Sequence, residues 1–241
     1  MGELLPYKIF RLKNVYGCTI IERINRFVVE VKLDDTRYVK AHINNTGRLA
    51  DFIVRGKKAY CFQRDKVGKT RYRLFAVDDC GKGAIVDTYL QMKSFEIAIY
   101  KNYISWLKNC EIVKRNVLIG TSRLDYLIEC SGKKIYLEVK SAVLRGNKHV
   151  AMYPDCRSVR GQKHIMDLIK HVEGGGKGII LFISGLPNVK AFKPYKKGDP
   201  IIYELLKKAM EKCVKIRAIN IFFEPKNNWI YLERTRLKIL L

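Results

Sequence analysis

Asp125 and Glu138 are ionisable side chains set inside two short apolar runs, Leu124 to Ile128 and Ile135 to Val139, and Lys140 directly follows the second. Both runs are β-prone, and the "CSGKK" between them has the small, glycine-containing composition of a tight hairpin. With Ser131 and Gly132 as the loop, Cys130 faces Lys133 and Asp125 lies opposite Glu138. A four-residue loop keeps that register, and a three-residue loop shifts it by one. Alternation along the strand then puts Glu138 and Lys140 on one face. Like charges opposed in a sheet cost about 0.2–1 kcal/mol, and more where water is scarce. One lysine does not balance two carboxylates. A hard divalent cation, Mg²⁺ or Mn²⁺, fits: it takes oxygen ligands, needs one or two carboxylates and keeps several waters. Such an ion lowers the pKa of a water and steadies a phosphate oxygen, with Lys140 beside the attacking water or the developing charge. The competing reading is a salt-bridged surface hairpin in which Lys140 neutralises Glu138.

The elements that must position these groups follow from periodicity. "IVDTYLQMKSFEIAIYKNYISWLKN" is helical in period, with a stripe of Tyr89, Met92, Ile99, Tyr103 and Trp106 or Leu107. Glu96 falls inside that stripe, either as a third acid reaching the cation directly or through water, or as a boundary glutamate that snorkels to solvent. A strand is expected near "EIVKRNVLI", then the hairpin, then a loop through "RGNKHVAMYPD" in which Asp155 caps or turns the entry to the next helix. "SVRGQKHIMDLIKHVEGGG" starts near Ser158 and stops at the glycine run. Arg157, Arg160, Gln162, Lys163 and His164 cluster at its start, where backbone N–H groups favour an anion. His164 is a candidate base, against a solvent-facing or capping role. "GIILFIS" reads as a central strand, "PIIYELLKKAMEKC" as an amphipathic helix, "VKIRAINIFFE" as a strand and "NNWIYLERTRLKILL" as one further strand.

Residues 8–85 are patterned as short strands. "RFVVEVKL" alternates, with Phe27, Val29, Val31 and Leu33 on one side, and "DDT" reverses the chain into "RYVKAHI". Five or six strands in this length suit a small barrel. Arg55, Lys57, Lys58, Arg64, Lys66, Lys69, Arg71 and Arg73 are interleaved with Tyr60, Phe62, Tyr72 and Phe75. Cations along a backbone and aromatics stacking on bases are what a single strand needs. The alternative is that the aromatics are barrel core. "CGKG" at 80–83 marks the boundary, giving domains 1–83 and 84–241.

The chain has 241 residues, and 47 Lys and Arg against 23 Asp and Glu give a net charge of +24. Such a surface attracts polyanions, nucleic acid first among them. No long apolar run or basic amphipathic helix points to a membrane, and no leader precedes "MGELLPYKIFRLKN", so a cytoplasmic protein is expected. The seven cysteines are scattered and never in C-x-x-C pairs, which argues against zinc and for reduced, mostly buried thiols.

Asp125 followed twelve residues later by Glu138-Val139-Lys140 resembles the PD-(D/E)XK nuclease core. "HINNTGRL", "GTSRLDYLI", "YLEVKS" and "YPDCRSVRGQKH", in that order, resemble the sugar fermentation stimulation protein family over residues 10–220. The resemblance implies an OB-fold barrel followed by a PD-(D/E)XK-like α/β domain with a mixed sheet, and DNA binding. It implies metal ligands at Asp125, Glu138 and Glu96, with Lys140 assisting attack. Gln162 takes a supporting position near the metal, and the Asn45-Thr46-Gly47 turn lies close to the C-terminal site. Asn44 stands where the family usually has proline, and Val159 where it has an acid. The expected partner is DNA, with a single strand or RNA as variants. Arg55, Lys57, Lys58, Arg71, Arg73, Arg123, Arg157, Arg160, Lys163 and His164 are the candidate contacts. The main reading is a Mg²⁺- or Mn²⁺-dependent nuclease, and the alternative is a DNA-binding regulator of sugar metabolism whose nuclease-like site is idle.

Overall fold

The computed structural model describes residues 6–64 and 70–241. Lys66 and Lys69 therefore lie outside the described residues. The first strand, β1 (Tyr7–Arg11), is followed by β2 (Val15–Asn25), β3 (Val28–Leu33), β4 (Tyr38–His42), β5 (Lys58–Gln63) and β6 (Tyr72–Asp79). Strands β4-β3-β2-β5-β6 are neighbours in that order, and a parallel pairing of Ala41 with Tyr72 and His42 with Arg73 closes them into a five-stranded barrel. The alternation expected in β3 holds for Val29, Val31 and Leu33, which are buried. Phe27 departs from it: it sits in the β2–β3 turn, where its N–H meets the Asn25 side chain, and it is exposed. Tyr60, Tyr72 and Phe75 are buried, so these interleaved aromatics are core and offer no stacking platform.

β1 is not a barrel strand, although it lies within the sequence-drawn barrel segment. It pairs antiparallel with a strand near the C-terminus, β16 (Trp229–Arg234). After the barrel, β7 (Lys82–Ile85) continues the sheet from β6 to β15 (Lys215–Glu224). Gly83 permits this junction, because a Cβ there would lie 2.7 Å from the Phe223 ring.

The C-terminal part runs α1 (Thr88–Tyr100), a 3₁₀ turn (Ser105–Leu107), β8 (Cys110–Ile119), β9 (Ser122–Cys130), β10 (Lys133–Ser141), β11 (Leu144–Arg145) and β12 (Val150–Tyr153). It continues with α2 (Val159–Glu173), β13 (Gly178–Ser184), β14 (Ala191–Pro194), α3 (Pro200–Glu211), β15, β16 (Trp229–Arg234) and β17 (Lys238–Ile239). Its main sheet has the order β7-β15-β13-β10-β9-β8, with β15, β13 and β10 parallel and β9 and β8 antiparallel, a mixed sheet as expected. Every residue of β13 is buried, as a continuous apolar run between covered faces should be. The segment expected as a loop contains β11 and β12, which join β14 and β17 in a second small sheet. The C-terminal segment accordingly supplies two strands instead of one.

Two further expectations are corrected. The buried face of α1 is Leu90, Gln91, Ser94, Phe95, Ala98 and Ile99, while Tyr89 is exposed, so the core stripe is rotated from the one read by period. The cysteines are not uniformly reduced and buried. Cys110 and Cys130 are ladder partners on β8 and β9 and form a disulfide, and Cys80 and Cys213 are exposed.

Candidate active site

The β9–β10 hairpin turns through Ser131 and Gly132, both at positive φ, the backbone that a two-residue hairpin loop requires. Cys130 pairs with Lys133 and the ladder runs to Tyr126 opposite Leu137, the register expected from sequence. It stops there. In place of a backbone bond, the Asp125 carboxylate folds across and accepts the N–H of Val139 at 2.7 Å. Leu124 then joins the apolar cluster that includes α2, whereas Tyr126 and Leu137 belong to the cluster that includes α1.

Glu138 and Lys140 share the α2 face of β10, with Lys140 Nζ 2.6 Å from Glu138 Oε1. The same oxygen lies 2.6 Å from Nδ1 of His164. Arg160, one helical turn earlier, donates from Nε to His164 Nε2 at 3.4 Å. With Nε2 accepting, Nδ1 carries the proton and donates to Glu138. His164 is 5% exposed and Glu138 2%, so His164 is neither solvent-facing nor a free nucleic-acid contact. Glu138 Oε2 is buried with no hydrogen-bond partner among the described residues.

The electrostatics follow from this geometry. Burial, followed by the neighbouring Glu138, pushes the Asp125 carboxyl up to about 6. Burial also pushes Glu138 upward, but Lys140 and the His164 bond outweigh it and hold this carboxyl below its ordinary value. Burial alone would lower the Lys140 ammonium, and the facing Glu138 raises it instead. The two carboxylates therefore differ: Glu138 is held ionised by two donors on one oxygen, while Asp125, raised to about 6 by burial and by Glu138, is mostly ionised at neutral pH at the cost of that repulsion.

Glu96 is not part of this group. Its carboxylate receives two bonds from Arg115, at 2.8 and 3.0 Å, and one from the Tyr126 hydroxyl at 2.9 Å. That places it against the α1-side cluster, across the sheet from Glu138. Gln162 is buried too, but its amide donates to both carboxylate oxygens of Asp199, at 3.1 and 2.9 Å. Asp199 caps α3 through the N–H groups of Ile201 and Ile202, so Gln162 ties two helices together. Among the described residues no group of three or more His, Cys, Asp and Glu could hold a metal ion. The oxygens that a divalent cation would find here are the orphaned Oε2 of Glu138 and a carboxylate oxygen of Asp125, a donor set of the size that would suit an ion keeping several waters.

Among the candidate nucleic-acid contacts, Arg55, Lys58, Arg71, Arg123, Arg157, Arg160 and Lys163 are exposed. Lys57 donates to the Asp51 carbonyl at 2.6 Å and lies over the Phe52 ring. Arg73 is a correction: it is ion-paired with the fully buried Asp87, which caps α1 through Leu90 N–H. Asn44, at the position where proline was expected, joins the same cap by accepting Thr88 N–H at 3.1 Å and donating to Asp87 at 3.3 Å. Ser158 caps α2, while Asp155 instead accepts Leu49 N–H across the interface with the barrel. The Asn45 turn does lie at the C-terminal site, with its amide 3.5 Å from the hydroxyl of Ser141. The partnership of His164 with Glu138 is not read from the sequence; the signal for it is that His164 recurs with Gly161, Ile165 and Leu168 on the buried face of α2.

A family model described as the SfsA N-terminal OB domain matches residues 21–86, and one described as the sugar fermentation stimulation protein RE domain matches residues 89–227. The sugar fermentation stimulation protein homolog of Pyrococcus furiosus is 49% identical over 224 residues, covering 93% of this chain and 96% of that protein. The Archaeoglobus fulgidus homolog is 42% identical over 234 residues, covering 97% of this chain and 100% of that protein. A solved structure of Pyrococcus furiosus SfsA in complex with Ca²⁺ matches with a TM-score of 0.93 at 47% identity, covering 98% of this chain and 100% of that one. No helix among the described residues is long and apolar enough to cross a membrane. The barrel, the mixed sheet and these matches agree: the chain belongs to the sugar fermentation stimulation protein (SfsA) family.

Proposed function

We propose that this protein binds nucleic acid and hydrolyses phosphodiester bonds with a divalent cation held by Asp125 and Glu138. One observation carries the reading: Glu138 Oε2 is a buried carboxylate oxygen without a donor among the described residues, beside a second carboxylate. An unsatisfied buried group of this kind costs about 1–3 kcal/mol or more, and a ligand that completes it explains its retention. Mg²⁺ or Mn²⁺ would supply an activated water and a clamp on a phosphate oxygen. The residues of the chain prepare the place. Lys140 and His164 grip one oxygen of Glu138 and thereby fix the carboxylate with the other oxygen free. Val139 N–H orients Asp125 in the same way. Lys140 supplies the positive charge nearest the site. The net charge of +24 and the exposed cations of barrel and α2 support a polyanionic substrate. The Ca²⁺ complex of the Pyrococcus furiosus relative supports a divalent cation.

The deciding experiment incubates the full chain with labelled single-stranded DNA, duplex DNA and RNA, with and without Mg²⁺ or Mn²⁺, beside a Glu138→Ala control. Cleavage by the parent alone, and only with metal, is expected. Binding without cleavage in any arm would support the second reading, a DNA-binding regulator with an idle site. That reading has its own observation: Lys140 already closes on Glu138 at 2.6 Å and neutralises it.

A further inference from the structure

A cavity of about 210 Å³ opens between the barrel and the C-terminal domain; none of Asp125, Glu138 and Lys140 lines it, but Tyr153 in its wall interacts electrostatically with Lys140 and Glu138. One wall is Arg26 with the turn Asn45, Thr46 and Gly47. The other is Ser141, one residue past Lys140, with the segment from Tyr153 to Ser158.

The barrel wall is held unusually firmly for a turn. The Arg23 guanidinium donates to the carbonyls of Arg48 at 2.7 Å, Gly47 at 2.8 Å, Arg26 at 3.1 Å and Asn45 at 3.4 Å. Asn45 accepts Gly47 N–H at 3.0 Å and donates to the Val86 carbonyl at 3.1 Å. Asp155 takes Leu49 N–H at 2.9 Å, and glycine is needed at 47 because a Cβ there would meet that carboxylate at 2.7 Å. A binding wall fixed before the ligand arrives loses little entropy on binding.

The chemistry of the cavity is divided. Val143, Leu144, Met152 and the Tyr153 and Pro154 rings give apolar faces, Asp155 places an acceptor inside, and the exposed Arg26 and Arg157 border it. A phosphate inside would face the Asp155 carboxylate, whereas a phosphate outside would meet two guanidiniums. A flat ring with N–H donors on its edge suits the interior. At about 30 Å³ per water the volume equals about seven waters, room for one ring system and not for a base pair.

We infer that this cavity receives one unpaired nucleobase, setting the adjoining backbone phosphate at Lys140, so that the substrate is a single strand. Unpaired bases are read by insertion between apolar or aromatic side chains with hydrogen bonds to the exposed edge. The inference rests on the nucleic-acid reading proposed above, but not on cleavage.

The test is therefore a binding measurement with the full chain in chelator, without divalent cation. Single-stranded DNA, RNA and duplex DNA of one sequence are titrated against the parent and Thr46→Arg. Thr46 is exposed at the turn, and an arginine there can enter the cavity toward Asp155. Added charge alone would tighten every complex. Occupation of the cavity should instead weaken single-strand binding at least tenfold while duplex binding stays level or tightens. In the parent, a 2-aminopurine in the single strand should change emission at one position only, as an unstacked base does. A Thr46→Arg protein that melts as the parent does and binds the single strand as well or better overturns the pocket, as does emission unchanged at every position. No binding of any nucleic acid by the parent would overturn the function proposed above as well, which separates the two failures.

Discussion

Glu138 on β10 and His164 on α2 share a 2.6 Å hydrogen bond, and it is through this bond that the second helix reaches the candidate active site. His164→Ala removes one of the two donors to a buried carboxylate. The expected cost is about 1–3 kcal/mol, read as a lower denaturant midpoint at unchanged slope. His164→Gln, whose amide can still donate, should recover part of that loss and part of the divalent-cation affinity measured by calorimetry. Equal stability and affinity in all three proteins would make the bond incidental.

Asp125 and Glu138 repel in the metal-free site. Asn at 125 keeps an acceptor for Val139 N–H while removing that repulsion. Asp125→Asn should therefore melt at or above the parent without metal. Mg²⁺ or Mn²⁺ should raise the melting temperature of the parent, by about 2.7 kcal/mol of stability at a hundredfold excess over Kd, and leave the variant unmoved. A variant that melts lower and gains as much from metal as the parent would return these charges to a structural salt bridge.

Arg73 and Arg157 should behave oppositely, although both are cations in a basic protein. Arg73→Ala strands the buried Asp87 at the start of α1, and breaking a buried pair costs about 3–5 kcal/mol. Arg157→Ala leaves stability within about 0.5 kcal/mol and weakens DNA binding, with a shallower dependence on salt. Thermal melts and binding isotherms at two salt concentrations distinguish them, and DNA affinity independent of salt would contradict the electrostatic account.

Glu96→Gln should leave divalent-cation affinity unchanged, since Glu96 is engaged by Arg115 and Tyr126 on the other side of the sheet. The loss in stability should stay below about 1 kcal/mol because Arg115 is largely exposed. A weakened metal isotherm would put Glu96 back among the ligands.

The disulfide between Cys110 and Cys130 closes a loop with a sequence separation of 20. Reduction should lower stability by about 3 kcal/mol on the chain-entropy account. Added reductant should shift the melt of the parent, and the melt of Cys110→Ser should not respond to reductant at all.

What the sequence determined by itself was local or periodic. Ser131-Gly132 sets the hairpin register, because a two-residue loop needs positive φ and these small residues accept it. A period of two puts Glu138 beside Lys140, Ser158 caps α2, and the glycine run ends it. The charge balance needs no fold at all. What only the tertiary structure decided was which distant group each side chain meets. Packing of α1 on the sheet face opposite α2 gave Glu96 to Arg115 and Tyr126 instead of the cation site, since a helical period says which residues share a face but not which face of the sheet the helix covers. Burial of α2 against the sheet turned His164 from a surface histidine into the partner of Glu138, and the approach of α3 gave Gln162 to Asp199. The register of β8 on β9 brought Cys110 to Cys130, and the closing of barrel on sheet made the cavity between them. Turn and cap preferences act over a few residues, whereas a buried polar side chain must be satisfied by whatever packing brings within 3 Å, and packing is a property of the whole chain.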